Sequence, residues 1–531
     1  MNRLHLRAAI PSALAIMLLT AGCHVGPKYQ RPPALAQAPT PAAYMESPAA
    51  LPAASPSSKT QPSQALSPKP EASSTPQPAA AGEWKVANPQ DAMLHGKWWE
   101  IYNDSELNAL EDKLNIDNQT IKQYFENFMQ ARAIVGEVHS QLFPTVTLGP
   151  SFARSQASAN TGSSSGAKTQ SNLTSLPFNA SWEPDLWGRI HGQIHEAQMN
   201  AQVSAADLEG ERLTEQASLA VYFFELRGQD ALAAVYEQTI ADDRKAYDLT
   251  RAQYETGVGD ESAVVAAQNT LQNAQAAATN LGVARAQYEH AIAVLVGSDP
   301  SSFSIPVRAL NAAPPAIPVG VPSQLLERRP DIAASERTMA SANAAIGVAD
   351  TAFYPTVTLS AQAGLESSTL KHLFDWPSRL WSVGGGFSET LYEGGLQRAT
   401  AQQYTAIYNA DVAAYRQTVL AAFEQVEDAL AAERILSQQI AQQQLAEQTA
   451  QHLVDLETAR YETGVDPYLN VVTAQTTLLA DRQTLATLHT QAMTASVQLI
   501  EALGGGWDSS QLPTPEQISQ KPTAAELAPQ K

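Results

Sequence analysis

Phe143-Pro144-Thr145-Val146-Thr147-Leu148 recurs as Tyr354-Pro355-Thr356-Val357-Thr358-Leu359, 211 residues further along the chain. Working outward, Tyr254-Glu255-Thr256-Gly257-Val258 returns letter for letter as Tyr461-Glu462-Thr463-Gly464-Val465, 207 residues on. Leu295-Val296-Gly297 and Ala502-Leu503-Gly504 keep the same spacing. A period this long marks a duplicated half-protein, not a solenoid. Each copy joins two β-strands to a long coiled-coil helical hairpin, so the expected fold is mainly α with a β-sheet part and a two-fold internal repeat.

The strands alternate strictly. Around Pro144 one face carries Val146, Leu148, Pro150 and Phe152, the other Thr145, Thr147, Gly149 and Ser151. Around Phe178 the faces read Leu176, Phe178, Ala180, Trp182 and Ser175, Asn179, Ser181, Glu183. The second copy sets Val357, Leu359, Ala361, Ala363, Leu365 against Thr356, Thr358, Ser360, Gln362, Glu366. Its partner sets Trp381, Val383, Phe387, Leu391 against Ser382, Gly384, Gly386, Ser388. Such alternation fits a membrane β-barrel, and it also fits a half-buried soluble sheet. Small residues on the polar faces and aromatic residues near the strand ends favour the barrel. Four strands cannot close a barrel, and an open edge is intolerable in lipid. Two chains would supply eight strands and three would supply twelve.

Between Gly395 and Gly464 there is neither Gly nor Pro, and the first copy has no Pro from Asp185 to Asp299. A helix of about 67 residues spans roughly 100 Å at 1.5 Å per residue, too long and too polar for a bilayer, so it must project into water. Val412, Tyr415, Val419, Ala422, Val426 and Ala429, followed by Leu436 and Ile440, step by threes and fours as a helix-packing seam. Second helices follow at Ser262 to Val296 and Tyr468 to Leu503, with Gly257 and Gly464 placed as left-handed C-terminal caps. Trp98-Trp99-Glu100-Ile101-Tyr102 precedes a further helix expected from Ser105 to Gln141, with Asp104 or Ser105 as its N-cap.

The 531 residues carry 16% charged side chains and a net charge of −20. So acidic a chain is a poor nucleic-acid partner, because phosphates need a basic footprint. Arg3 and Arg7 head an apolar run from Ala8 to Leu19 that is too short to span a bilayer, ending at Leu19-Thr20-Ala21-Gly22-Cys23. Residues 1–22 read as a lipoprotein signal, although Thr20 stands where a branched apolar residue is more usual. Cys23 is the single cysteine, so no internal disulfide is available, and its position favours acylation of the mature N-terminus. His24 follows it in place of the Asp that retains many lipoproteins at the inner membrane, which favours outer-membrane delivery.

Residues 23–83 read as a lipidated N-terminus with a Pro/Ala/Ser-rich tether from Arg31 to about Gly82, too poor in large apolar residues to fold. Residues 84–300, beginning near Trp84, form the first repeat. Residues 301–325 link it to the second repeat at 326–507, and 508–531 is a tail.

Cys23-His24-Val25-Gly26-Pro27-Lys28-Tyr29-Gln30-Arg31-Pro32 resembles the mature start of the outer-membrane efflux lipoproteins of the TolC superfamily, in the NodT/OprM-like branch. Leu326-Glu327-Arg328-Arg329-Pro330-Asp331-Ile332-Ala333-Ala334, Ala344-Ala345-Ile346-Gly347-Val348-Ala349 and Leu503-Gly504-Gly505-Gly506-Trp507 are similar to that family's second-half signature and ending. The resemblance covers about residues 23–31 and 84–507. It implies a homotrimer, with a twelve-stranded barrel in the outer membrane on an α-helical barrel in the periplasm. It also implies an exit duct of a tripartite efflux system. Small molecules expelled by an inner-membrane transporter of RND type or similar would pass through a periplasmic adaptor (membrane fusion) protein into the duct. Tyr254, Glu255, Thr256, Gly257, Val258 and Tyr461, Glu462, Thr463, Gly464, Val465 stand where the adaptor would dock. Leu469 matches the constricting leucine, and Arg460 and Tyr461 match tip residues that hold neighbouring helices closed. The family's aspartate ring would fall at Thr473, which puts a cation-selective ring there in doubt.

No catalytic, metal or cofactor constellation is legible. Gly162-Ser163-Ser164-Ser165-Gly166 fits the nucleophile-elbow pattern formally, but it lies in a Ser/Asn/Gly loop between two strands, where that motif has no strand-to-helix turn. The alternative reading, a periplasmic coiled-coil adaptor or structural lipoprotein, shares the lipid site and the hairpins but has no use for four alternating strands.

Overall fold

The computed structural model describes residues 25–35, 40–41, 43–46, 96–156, 170–310, 312–320 and 322–523. A 3₁₀ turn at Trp98–Tyr102 leads into α1 (Ser105–Asp117) and α2 (Gln119–Ser140). Strands β1 (Thr145–Leu148), β2 (Ser151–Gln156) and β3 (Gln170–Trp182) precede α3 (Arg189–Glu255) and α4 (Glu261–Leu295). After the linker come α5 (Pro322–Arg328), α6 (Pro330–Asp350), β4 (Thr356–Ser367), β5 (Arg379–Ser388), α7 (Leu396–Glu462), α8 (Tyr468–Ala502) and the short α9 (Pro515–Ser519). Helices α3 and α7 each have 67 residues, and α4 and α8 each have 35. Both long helices start after a glycine in the left-handed region, Gly188 at φ 78° and Gly395 at φ 93°.

The expected helix from Ser105 to Gln141 is two helices. Asp104 caps the first, accepting from the Glu106 and Leu107 amides. Asn118 then leaves the helical region at ψ 127°, and its side chain accepts the Ile121 amide as the cap of α2. Asn118 also donates to the Leu295 carbonyl at 2.9 Å. An asparagine offers the backbone a local alternative to the helical bond, and periodicity does not register it.

The strands form one antiparallel sheet in the order β1-β3-β4-β5, with β2 also on β3. The first strand of the first copy is thus two strands in one register. Pro150 has no N–H for the ladder, and the Gly149 amide bonds the Pro177 carbonyl at 3.1 Å beside the gap. Pro177 faces Gly364 on its other side, where a Cβ would sit 2.8 Å from the Pro177 Cα. The register aligns the apolar faces. Val146 lies against Ala180, Ala180 against Ala361 and Ala361 against Val383. Leu148, Phe178, Ala363 and Trp381 form the adjacent row. Thr147, Asn179, Gln362 and Ser382 line the opposite face. The apolar face is open: Val146, Phe152, Trp381, Val383 and Phe387 are all more than 60% exposed in the single chain. Among the described residues no helix is long and apolar enough to cross a membrane.

The cores lie where the helices meet below the sheet. Trp98, Trp99, Leu107, Phe223, Phe224, Ile292 and Val497 fill one. Ile332, Met339, Tyr415, Val419, Val426 and Leu499 fill another. The seam on α7 is buried at Tyr415, Val419, Ala422, Val426 and Ala429, and half-buried at Val412, Leu436 and Ile440. The linker is clamped by buried charge. Arg227 donates to Asp230 at 3.1 Å, to the Pro306 carbonyl at 2.6 Å and to Glu106. Arg285 reaches Asp230 at 2.8 Å and the Ile305 carbonyl at 2.7 Å, and the Arg308 amide closes on Asp230 at 2.9 Å.

Two end segments pack against the helices. The region expected as an extended tether from Arg31 begins instead as a docked strap. The Tyr29 hydroxyl donates to Glu336 at 2.7 Å, and Arg31 to the Tyr415 hydroxyl at 3.2 Å. Tyr44 is buried, and Glu46 pairs with Arg434 at 2.7 Å. Residues 508–523 of the tail also dock, with Leu512 against Ala205 and Ala206, and Ile518 against Val135 and Ala197.

Candidate functional site

The far ends of the hairpins are built alike. The Thr256 amide bonds the Ala252 carbonyl, after which Gly257 turns to φ 75° and the Val258 amide returns to the Gln253 carbonyl at 2.9 Å. In the second hairpin Gly464 also has φ 75°, and the Val465 amide returns to the Arg460 carbonyl at 2.9 Å. These are left-handed caps that satisfy the last helical carbonyls. Thr256 and Thr463 reinforce them, each hydroxyl donating back into its own last turn at 3.0 Å. Asp260 caps α4 through the Ser262 amide, whereas Pro467 starts α8 without a side-chain cap.

Both turns therefore expose one valine, Val258 at 83% and Val465 at 65%. Tyr254 is also exposed, Glu255 pairs with Arg251 at 2.9 Å along its own helix, and Glu462 faces solvent. The Tyr461 hydroxyl donates to Gln253 Oε1 at 2.5 Å and so joins the tips of the two hairpins. Its ring lies 5.2 Å from that of buried Tyr468. Arg460 does not share this contact, because its guanidinium pairs with Asp466 in its own turn. Leu469 is 69% exposed, and Thr473 is on the same exposed side with its hydroxyl on the Leu469 carbonyl at 2.9 Å. Tyr468, Val471, Ala474 and Leu478 form the buried side of α8, so Leu469 and Thr473 point away from the chain's own packing.

Sequence reasoning missed Gln253, Asp466, Tyr468 and Asp243. Gln253 precedes the repeated pentapeptide and has no counterpart in it, so the repeat carries no signal for it. Asp243 lies on α3 beside a groove of about 460 Å³ that is also lined by Tyr461, Tyr468, Gln475 and Arg482. It is buried, and its Oδ2 has no hydrogen-bond partner among the described residues. Burial, with Asp242 beside it, pushes the Asp243 carboxyl up to about 6. The Tyr468 phenol is raised to about 12, by burial first and then by Asp243 and Tyr461.

Cys23, the signal segment, Trp84, Gly162 to Gly166 and residues 524–531 lie outside the described residues.

The family described as "Outer membrane efflux protein" matches residues 110–298 and 321–505. The probable efflux pump outer membrane protein TtgC of Pseudomonas putida is 27% identical over 441 residues, covering 82% of this chain and 91% of the relative. Outer membrane protein OprJ of Pseudomonas aeruginosa is 28% identical over 439 residues, covering 81% and 91%. Among solved structures, the outer-membrane channel OprN superposes with TM-score 0.75 at 24% identity, over 91% of this chain and all of that one. The Vibrio cholerae outer membrane protein VceC gives TM-score 0.71 at 25% identity, over 78% and 99%. The matched residues take in α3, α4, α7, α8 and every described strand, and on that ground this chain, an outer-membrane protein, belongs to the outer membrane efflux protein family.

Proposed function

We propose that three copies of this chain close a twelve-stranded barrel in the outer membrane, continued in the periplasm by a barrel of their helices. The two halves of each chain are the two repeats, each giving one hairpin and one side of the sheet. The product is an exit duct that passively conducts small molecules delivered by an inner-membrane transporter through a periplasmic adaptor. The adaptor docks on the turns at Tyr254–Val258 and Tyr461–Val465, where the exposed valines meet an apolar partner. Leu469 forms the constriction, Thr473 stands one turn beyond it, and the Tyr461–Gln253 contact holds the hairpins in the closed arrangement. Lipid on Cys23 assists anchoring.

One observation carries this reading: a sheet whose apolar side chains align on one exposed face, attached to helices about 100 Å long. An adaptor or structural lipoprotein would leave that face in water, where a patch of this size invites aggregation. The sheet's outer edges require neighbours, and identical chains supply them. Light scattering of the detergent-extracted, full-length protein tests this. The expected mass is that of three chains, in a complex that dissociates on heating. A monodisperse monomer that stays soluble without detergent would contradict it.

A further inference from the structure

Within the five described strands, the apolar face carries two charged side chains, and both are arginines at the end away from the helices. Arg154 follows Phe152 by one alternation and pairs in register with Asn172. Arg379 pairs with Leu365 and follows the same alternation as Trp381 and Val383. The helix-side end of the face carries Trp182, Val357 and Phe387 and no charge. An arginine amid lipid chains is costly at the bilayer centre and tolerated at the interface, where its fork can reach phosphate. The charge asymmetry therefore distinguishes the outer rim from the periplasmic one.

The β4–β5 connection adds to this rim. Leu373 is buried and anchors it, and the Ser378 hydroxyl holds the His372 carbonyl at 2.6 Å. Leu370, Phe374 and Trp376 are each at least 70% exposed, continuous with Trp381 at 79%. The Arg379 guanidinium carbon lies 3.3 Å from the Trp376 ring centre, so the cation is held flat on an indole at the rim. Asp375, the one acidic residue between Ser368 and Arg379, is engaged by His372 at 2.7 Å. Lys371 and Arg379 thus lend their charge to whatever lies outside. Arg154 is oriented by Gln170 at 3.0 Å. Tryptophan seats at the boundary between acyl chains and headgroups, which sets the cations at headgroup depth.

We propose that Arg154, Arg379 and Lys371 form a phosphate-binding rim for the phosphorylated glycolipids of the outer leaflet, with Phe374, Trp376 and Trp381 seated among their acyl chains. This rests on the membrane-face reading above. Because Arg154 on β2 and Arg379 on β5 lie on opposite edges of the sheet, closing the barrel brings one copy's Arg154 towards its neighbour's Arg379. The glycolipid would then bridge subunits.

The test reconstitutes the full-length protein into phosphatidylethanolamine vesicles containing diphosphoryl lipid A, the same lipid stripped of phosphate, or phosphatidylglycerol at equal charge. Retained lipid is counted by native mass spectrometry. The expected result is at least tenfold preference for diphosphoryl lipid A over both others. That preference should be lost in the double variant Arg154→Gln/Arg379→Gln and reduced roughly fivefold in Lys371→Gln, which lies outside the strands and tests the rim even where the double variant fails to assemble. Equal retention of phosphatidylglycerol, no preference for phosphate, or full preference surviving in Lys371→Gln and in the assembled double variant would each overturn the proposal. A protein that enters none of the vesicles would overturn the membrane-face reading itself.

Discussion

Gly257 and Gly464 have the same φ of 75°, and a Cβ at either would meet open space. A β-branched residue there costs only its own backbone strain, on the order of 1–2 kcal/mol, with no clash to spread into the helices. On the proposed docking of the adaptor at these turns, Gly257→Val/Gly464→Val should abolish export while the proposed trimer still forms, read by export assays beside gel mobility. Normal export would remove these turns from the docking surface. Asp243 supplies a pH dependence. Its folded carboxyl is raised from 3.8 to about 6, so between those values the folded chain keeps a proton that the unfolded chain has released. Its contribution to stability is therefore full in acid and is lost as pH rises through about 6. The titratable groups lining the same groove are Asp242, Lys245, Asp455, Tyr461, Glu462, Tyr468 and Arg482, and Lys245 is already engaged by Asp242 at 3.0 Å. Asp243→Asn should raise the thermal midpoint at pH 7.5 and flatten its fall between about pH 4 and 6. An unchanged slope would show that another group titrates there.

At the scale of elements, the buried cluster of Arg227, Asp230 and Arg285 ties the linker to α3 and α4. Breaking one partner strands a buried charge, at a cost of about 3–5 kcal/mol. Asp230→Ala should lower the unfolding midpoint measured by circular dichroism far more than Lys97→Ala, whose pair with Asp112 is half exposed on both sides. Equal shifts would show that the cluster adds no more stability than an exposed ion pair. These elements also show what a sequence can carry. The 67-residue span of α7 was legible from the run without Gly or Pro, and the strand faces from simple alternation, because both are local patterns. The break at Asn118 was not, since its side-chain cap on the Ile121 amide and its bond to the Leu295 carbonyl, 177 residues away, leave no mark on the periodicity. Nor was the strap, where Tyr29, Arg31 and Tyr44 dock on α6 and α7 from a stretch whose composition reads as unfolded. At the tips, the turns were legible because they repeat. The Tyr461–Gln253 contact was hidden because only one of its partners belongs to the repeat.

For the whole molecule, the proposed duct would have its exposed apolar sheet face in lipid, with the long helices carrying Leu469 far into the aqueous space below. Arg460 is satisfied within its own turn, while Tyr461 with Gln253 joins the hairpins at their tips and Leu469 is the exposed apolar side chain closest to the turn on α8. A duct closed at that level should conduct little until the constriction is widened. The decisive measurement is planar-bilayer conductance of the purified full-length protein beside its Leu469→Ala variant. Small, rarely open wild-type channels are expected, with larger or longer openings in the variant. Folded, trimeric protein with no conductance in either form would contradict it.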